Sequence, residues 1–249
     1  MSEEPGRWRG DNSPGAIEAV LSRAMGGART PYDWLARAVS ESATRVLDLA
    51  CGAGAMIDRL ERPHRVVVGL DLSAAELGEA RARDRGPLLQ ADGSYLPFQD
   101  GCFDAVVSSI GLAVVPNREQ LFREVSRVLR PGGVFAALTP SLRPLSVENA
   151  RLLSRLSSNL RRPAQLPGVV EFKAKRMLTD AGLTKSEDSR ARYFFEVHNV
   201  GDAEVLFDGL RASRDPARRA AATAFLLGRA DRDGSVRVPL PMRRITAIK

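Results

Sequence analysis

The sequence contains few of the side chains that usually bind metals or carry redox chemistry. Its 249 residues include two cysteines and two histidines, and Cys51 and Cys102 lack CxxC spacing. The pattern therefore predicts no metal site and no redox pair, and both cysteines are expected to pack as small buried residues. A chain of this length can build a sizeable core without disulfides.

The sequence also lacks a long hydrophobic run. Its longest useful uncharged stretch, residues 105–117, has thirteen residues and includes two serines and a proline, whereas a membrane-spanning helix needs about 20 apolar residues. The first residues, MSEEPGRWRGDN, contain no apolar segment typical of a secretory signal. We therefore expect a soluble cytoplasmic protein without a membrane span.

Lysine is scarce, and the charge is unevenly distributed along the chain. Only four of the 37 basic residues are lysines, and the net charge is +7. Residues 1–140 hold 16 basic and 18 acidic residues, whereas residues 141–249 hold 21 basic and 12 acidic residues. A basic chain suggests a nucleic-acid partner, but so strong a bias toward arginine is also what a skewed genome composition produces. The excess charge lies wholly in the second part, where arginines beside residues 152–160 either attract an anionic small molecule or form a solvated face.

Short apolar runs alternate with helical stretches between residues 44 and 140. The predicted strands are 46–50, 66–72, 87–92, 103–110 and 133–139, and the predicted helices between them are 54–60, 74–83 and 119–129. This alternation predicts an α/β domain, a doubly wound parallel sheet with helices on both faces. We expect three regions, namely an N-terminal helical arm (1–43), this core (44–140) and a region of further helices and strands (141–249).

The two flanking regions are less regular. Helices are predicted over 16–25 and 30–39, after a polar arm in which Trp8 suggests one anchored point. In the second part, the pattern predicts helices over 152–160, 171–182, 203–210 and 217–227 and a strand over 191–200. The terminal segment 236–249 is extended, and Pro239 and Pro241 favour an edge or a bulge in its first half.

Three motifs that can carry chemistry follow the first three predicted strands. In DLACGAG, Gly52 and Gly54 lack the Cβ atoms that would keep a ligand off the backbone, although a tight strand-to-helix turn has the same pattern. Asp71 ends the second strand, where an acid can accept hydrogen bonds from ribose hydroxyls. It can also cap the next helix, a position for which Ser73 is better placed. Asp92, after the third strand, can accept a hydrogen bond from an adenine amino group or serve as a turn residue.

Together these segments resemble a known family. VLDLACGAG, GLDLS, ADGSYLPFQDGCFDAVVSS and VLRPGG are similar in order and spacing to the class I S-adenosylmethionine (SAM)-dependent methyltransferases. The similarity is greatest to the small-molecule branch that includes ubiquinone and menaquinone biosynthesis enzymes. It covers residues 44–140 strongly and the rest only in general layout. It implies a Rossmann-like seven-stranded sheet, mostly parallel with a reversed last strand, and SAM as the cofactor, with S-adenosylhomocysteine as its product.

The resemblance implies which residues surround the methionine moiety of SAM. Asp48, Gly52 and Gly54 match the loop around this moiety, and Ser108 matches the position whose backbone faces the methionine ammonium. The family often has threonine where this chain has Ala53, a change that the loop should tolerate.

The resemblance likewise implies the residues that surround the adenosine moiety. Asp71 matches the acid that binds the ribose, and Leu72 lies beside the adenine. Asp92 matches the residue that binds the adenine amino group, with the Gly93 backbone next to it. A nicotinamide dinucleotide is a poor alternative, because the third glycine of its GxGxxG fingerprint is replaced by Ile57.

Two residues are candidates for the chemistry itself. The methyl group of SAM is already activated, so the enzyme must mainly align an acceptor, and a base is needed only if the acceptor loses a proton. Tyr32 belongs to the helix where relatives keep a lid over SAM, and it is expected to touch the cofactor or the acceptor. His198 follows a predicted strand in the part that should select the acceptor, and it is either a base or an exposed strand-end histidine. Residues 111–115 lack the aromatic or histidine side chains that many relatives carry there.

Three functions remain open from the sequence. The first is transfer of a methyl group to a small molecule by in-line displacement, and an anionic acceptor fits the arginines after residue 140. The second is an RNA methyltransferase that uses this basic part, although no RNA-binding module or basic-aromatic repeat supports it. The third is a SAM-binding protein without transfer chemistry. The sequence predicts neither the acceptor nor the oligomeric state.

Overall fold

A computed structural model of the chain describes residues 13–113, 115, 117–143, 145–167 and 174–249. The strands are β1 (Arg45–Leu49), β2 (Val66–Asp71), β3 (Leu88–Gln90), β4 (Phe103–Ser109), β5 (Leu129–Pro140), β6 (Thr184–Val197) and β7 (Val236–Ile248). The helices are α1 (Ala16–Arg23), α2 (Pro31–Ala36), α3 (Ala55–Leu60), α4 (Ala74–Ala82), α5 (Arg118–Val128), α6 (Val147–Leu160), α7 (Ala174–Asp180), α8 (Val200–Gly209) and α9 (Pro216–Leu227). Residues 1–12 of the expected arm, with Trp8, and residues 171–173 of an expected helix lie outside the described residues.

The seven strands form one sheet, in the order β3-β2-β1-β4-β5-β7-β6. The pairs from β3 to β5 are parallel, and β7 is antiparallel to both of its neighbours, β5 and β6. The predicted mostly parallel sheet with a reversed last strand is therefore confirmed. Chain order changes direction between β1 and β4, and ligands of open α/β sheets bind at the carboxyl ends of the strands beside such a point.

Helices cover both faces of the sheet, as the alternating pattern predicted. Side chains of α1, α2, α3, α6, α8 and α9 share one buried cluster with Val46 of β1 and Val107 of β4. Side chains of α5 and α7 share another cluster with Leu47 and Val106, the neighbouring residues on the same two strands. Because side chains alternate along a strand, these pairs point to opposite faces. No helix in the described part of the chain is long and apolar enough to span a bilayer.

The last two strands differ in detail from the sequence pattern. β6 begins at Thr184, earlier than predicted, since its first residues are charged and polar and give no apolar signal. β7 is one continuous strand that pairs with β6 along its whole length, whereas its pairing with β5 begins only at Met242. Pro239 pairs with Phe194 of β6. The N–H and C=O of Phe194 bond the backbone of Met25, away from β7.

This arrangement explains why β7 tolerates its prolines. Since Phe194 directs its backbone groups away from β7, Pro239 belongs to a pair without mutual hydrogen bonds, and its nitrogen faces the other side. On that side β5 has already ended at Pro140, so no ladder hydrogen bond is lost. The first half of β7 thus has a free edge on the side of β5, and its pairing with β6 contains no bulge.

Candidate active site

A cavity opens at the carboxyl ends of β1, β2 and β4, where the direction of the strand order changes. Its walls come from the start of α1, from α2, and from the segments that follow β1, β2, β3 and β4. Every lining residue lies between residues 15 and 115. The described residues of the basic second part therefore contribute no side chain to the cavity wall.

Asp48, in β1, is buried beneath the cavity and is not part of its lining. Its side chain is 1% exposed, and within the described residues neither carboxylate oxygen receives a hydrogen bond. Burial, together with the negative charges of Asp71 and Glu18, raises the pKa of Asp48 to about 8. Asp48 is therefore largely protonated at neutral pH, and a cation or hydrogen-bond donor supplied by a ligand would favour its ionised form.

Gly52 and Asp71 meet at the carboxyl ends of β1 and β2, and both line the cavity. The Gly52 N–H donates to Asp71 Oδ2, and the Ser73 N–H donates to Asp71 Oδ1, each at 2.8 Å. Burial raises the pKa of Asp71, while these amide hydrogen bonds oppose the shift. Ser73 also caps α4, since its Oγ accepts from Glu76 N. Asp71 is thereby held in place with acceptor capacity left for a ligand.

The two motif glycines serve different purposes in this structure. Gly52 has a φ of 56°, and a Cβ added there would meet only the Glu76 carboxylate, 3.7 Å away. Gly54 has a φ of 85° and does not line the cavity. A Cβ at Gly54 would lie 3.0 Å from Cδ of Arg85. Gly52 therefore leaves room on the ligand side, whereas Gly54 leaves room for a packed arginine.

The adenosine-side residues that the resemblance implied all line the cavity. Leu72, Asp92 and Gly93 follow β2 and β3 and form one wall. Asp92 Oδ1 accepts from the Ser94 N–H at 2.8 Å, which orients the carboxylate. A Cβ on Gly93 would lie 3.1 Å from a methyl group of Leu49, so the backbone approaches the core closely there.

Ser108 does not line the cavity, and its neighbour does. The Ser108 side chain is buried and donates to the Leu49 carbonyl oxygen at 2.8 Å. Ser109, Ile110 and Gly111 line the cavity instead. Because side chains alternate along β4, the hydroxyls of Ser108 and Ser109 point to opposite faces of the sheet, and the role predicted for the Ser108 backbone stays a prediction.

Of the two candidate catalytic residues, only Tyr32 lines the cavity. Its helix, α2, is fixed by a capping box between Thr30 and Asp33, and Asp33 also pairs with Arg59 at 3.0 Å. Burial of Tyr32, followed by the negative charges of Glu18 and Asp48, raises the pKa of the phenol. The phenol stays protonated at neutral pH, so Tyr32 can donate a hydrogen bond and cannot serve as a general base.

His198 lies at the surface, outside the cavity lining. Its side chain is 51% exposed, and its Nε2 is 3.8 Å from a carboxylate oxygen of Glu196. Its backbone N–H donates to Asp202. The structure thus places this histidine as an exposed strand-end residue, the alternative that the sequence left open.

Two acidic residues of the cavity wall were missed in the sequence. Glu18 of α1 and Glu76 of α4 both line the cavity. The Gly15 N–H donates to Glu76 Oε2 at 2.9 Å. Burial raises the pKa of Glu76, while this hydrogen bond and the positive charge of Arg211 oppose the shift. Acidic residues in the first turn of a helix are common, so no sequence signal distinguished these two.

The cavity wall is acidic. Four carboxylates line it, those of Glu18, Asp71, Glu76 and Asp92, and no lysine, arginine or histidine among the described residues does. The described residues also contain no group of three or more His, Cys, Asp or Glu side chains arranged to hold a metal ion.

Comparison with known proteins agrees with this geometry. A family model described as a methyltransferase domain matches residues 47–137. The ubiquinone/menaquinone biosynthesis C-methyltransferase UbiE of Bartonella tribocorum is 36% identical over 104 residues, which cover 38% of this chain and 40% of that protein. The chain therefore matches about two-fifths of the length of this relative.

Solved structures extend the likeness to most of the chain. A putative methyltransferase from Bacillus halodurans superposes with a TM-score of 0.60 at 19% identity, over 88% of this chain and 98% of that one. The [4+2]-cyclase SpnF superposes with a TM-score of 0.56 at 21% identity, over 88% and 79% of the two chains. The fold is that of the class I SAM-dependent methyltransferases. Residues 47–137 are a methyltransferase domain that resembles UbiE.

Proposed function

We propose that the chain binds SAM in the cavity and transfers its methyl group to a small-molecule acceptor. The observation that carries this proposal is the acidic wall above the unpartnered carboxylate of Asp48. SAM is a cation at its sulfonium and carries an ammonium group, so both charges complement this wall. The residues present therefore fit the cofactor that the sequence resemblance implied.

In this proposal, different residues of the chain bind different parts of the cofactor. Asp71 accepts hydrogen bonds from the ribose hydroxyls, and Asp92 accepts one from the adenine amino group, with Leu72 and Gly93 forming the adenine wall. Asp48 balances the ammonium group from below. These roles extend the resemblance, and the lining of the cavity supports them for the adenosine side.

Bound SAM supplies a methyl group on a positively charged sulfur that is a good leaving group. The chain's own residues would therefore have to hold the acceptor in line with that methyl group and exclude water. Tyr32 of α2 and residues 109–111 at the end of β4 line the cavity, which supports a role for them in orienting the acceptor. Since the phenol of Tyr32 stays protonated, it contributes a hydrogen bond to this orientation.

We further propose that the acceptor carries no net negative charge. An anion entering the cavity would face the carboxylates of Asp71, Glu76 and Asp92, since Glu18 is paired with arginines, and like charges in a partly desolvated site repel strongly. The arginines after residue 140 suggested an anionic acceptor from the sequence, but none of those described lines the cavity.

A second candidate function is SAM binding in support of a different reaction. The fold of this chain is shared with a protein that is described as a [4+2]-cyclase, and no histidine or lysine among the described residues lines the cavity as a base. Fold alone does not determine the chemistry. Formation of S-adenosylhomocysteine, measured with a panel of neutral, cationic and anionic small molecules and with RNA, separates these possibilities.

Calorimetric titration with SAM tests the cofactor proposal directly. Asp71→Ala should weaken binding by about 1–3 kcal/mol, because the ribose hydroxyls lose their acceptor. Asp100→Ala is a matched control, since Asp100 is exposed and pairs with Arg127 away from the cavity, and it should leave affinity unchanged. Equal binding by the wild type and Asp71→Ala would refute the ribose assignment.

A further inference from the structure

Arg85 joins three elements beside the cavity without lining it. Its Nη1 donates to the Ala53 carbonyl oxygen at 2.6 Å and to both carboxylate oxygens of Glu18 at 2.9 Å. Its Nε donates to Asp58 of α3 at 2.8 Å. The Arg85 side chain is only 11% exposed, so these contacts are made in a partly desolvated setting, where charged hydrogen bonds are strongest.

Two of these partners belong to the cavity wall. Ala53 lies in the loop after β1, and Glu18 lies in the first turn of α1. The aliphatic stem of Arg85 also packs over Gly54, where a Cβ would approach it to 3.0 Å. One side chain therefore fixes the distance between the loop and the helix that together cover the cavity.

We propose that Arg85 is a positioning residue for cofactor binding, which it supports by holding the first turn of α1 against the loop after β1. This inference rests on the proposed function, because it assigns the cofactor to that cavity. Arg83 contributes to the same contact, as its Nη1 donates to Glu18 Oε2 at 3.0 Å. The Gly15 N–H bond to Glu76 also holds the start of α1, next to Arg83 and Ala53.

Arg85 could affect SAM binding through its charge or through its positioning contacts, and the two explanations predict opposite changes in SAM affinity when Arg85 loses its charge. Removing a cation near an acidic cavity should by itself strengthen the binding of cationic SAM. If Arg85 acts by positioning, its removal should instead weaken the binding of both SAM and S-adenosylhomocysteine, which lacks the sulfonium charge. The sign of the change thus separates the two explanations.

The test is calorimetric titration of Arg85→Met with both ligands, together with hydrogen exchange of the ligand-free protein. Methionine keeps an aliphatic stem over Gly54 and removes the donors. We expect the Kd for each ligand to rise roughly tenfold, as for the loss of a buried charged hydrogen bond. The amides of α1 should exchange faster than in the wild type.

Arg130→Met is the matched control. Arg130 Nε donates to Asp104 Oδ1 at 2.6 Å, a close ion pair at the amino end of β4, whereas the cavity lies at the carboxyl end. This variant should lower stability without changing either Kd or the exchange of α1. A fall in affinity equal to that of Arg85→Met would show that general destabilisation is the cause and would overturn the inference.

Two further variants test the contact itself. Arg85→Lys keeps the charge but cannot bridge Ala53 and Glu18 with one planar group, so it should restore only part of the affinity. Adding Glu18→Gln to Arg85→Met should cost less than the two single effects combined, because both act through one contact. Unchanged or tighter binding by Arg85→Met, in a protein whose wild type binds, would overturn this inference alone. Absence of binding by the wild type would overturn the proposed function as well.

Discussion

The two parts of the chain, residues 13–140 and residues 141–249, share one sheet but differ in what their charged side chains do. The first part supplies β1 to β5 and the entire described lining of the cavity. The second part supplies β6 and β7, the helices α6, α8 and α9 on one face and α7 on the other. The net charge of the chain comes from the second part, whereas the chemistry that we propose resides in the first. The net charge of the whole chain therefore does not indicate the charge of the ligand that we propose.

Arginines illustrate the difference between the parts. Arg85 is nearly buried and bound to a carbonyl and two carboxylates beside the cavity. Along and after α6, Arg151, Arg155 and Arg161 are exposed, and within the described residues no carboxylate lies within ion-pair distance of them. Arginine thus anchors the structure beside the cavity and is a solvated charge along α6, although Arg219, Arg243 and Arg244 of the second part also pair with carboxylates.

The largest effect is expected for Asp48, whose pKa shifts in the direction opposite to that of Asp188 in the second part. Asp48 has a pKa raised to about 8 by burial and by neighbouring carboxylates. Its folded form therefore binds a proton more tightly than the unfolded chain, and stability falls as pH rises from about 4 to about 8. Asp48→Asn removes this dependence. The free energy of unfolding of Asp48→Asn minus that of the wild type should therefore become more positive as the pH rises over that interval. SAM affinity should drop by about 1–3 kcal/mol.

Asp188 in the second part provides the opposite case. Hydrogen bonds from Arg243 lower its pKa, with a smaller contribution from Lys185, so it stabilises the fold above its ordinary pKa and loses that contribution in acid. Asp188→Asn should destabilise the protein at pH 7 by about 1–3 kcal/mol and leave SAM affinity unchanged. Thermal unfolding from pH 4 to 9 and titration with SAM check both variants. An equal loss of affinity in both would contradict the division between the parts.

The residues predicted for the adenosine side all line the cavity, whereas Asp48, Gly54 and Ser108, predicted for the methionine side, do not. Asp71 ends β2 and Asp92 follows β3, and the carboxyl ends of parallel strands lie at one edge of the sheet. Ser108 does not line the cavity whereas its neighbour Ser109 does, and the expectation that the Ser108 backbone faces the methionine ammonium stays a prediction. The resemblance predicted that Gly54 lies in the loop around the methionine moiety. In the structure Gly54 leaves room for the side chain of Arg85, which lies 31 positions later in the chain and so gives no local signal.

The missed residues depend on contacts between segments distant in sequence. Glu18 meets Arg85 across 67 positions, and Gly15 meets Glu76 across 61. No local pattern contains such contacts. The same reason explains β6, whose charged first residues form a strand because β7 pairs with them, not because of their own preference.

A smaller effect should distinguish the two candidate catalytic residues. Tyr32→Phe removes the only hydroxyl that α2 places in the cavity, and kcat should fall roughly tenfold, the equivalent of one lost hydrogen bond in the transition state. His198→Ala, in the second part, should leave kcat and KM unchanged. Initial rates of S-adenosylhomocysteine formation at saturating SAM give both values. A large loss in His198→Ala with normal Tyr32→Phe would transfer the chemistry to the second part.

The smallest effect is expected for the exposed arginines of α6 and its end. Replacing Arg151, Arg155 and Arg161 together by alanine should change stability little, because exposed side chains without partners contribute about 0.5 kcal/mol or less each. It should also leave SAM affinity and turnover unchanged, since none of them lines the cavity. If the acceptor were RNA, binding of a single-stranded RNA would weaken steeply with salt, and this dependence would flatten in the triple variant. Fluorescence anisotropy with a labelled RNA between 50 and about 200 mM salt measures that slope. A steep slope lost on substitution would make the second part the acceptor-binding surface and reverse the contrast drawn between the two parts.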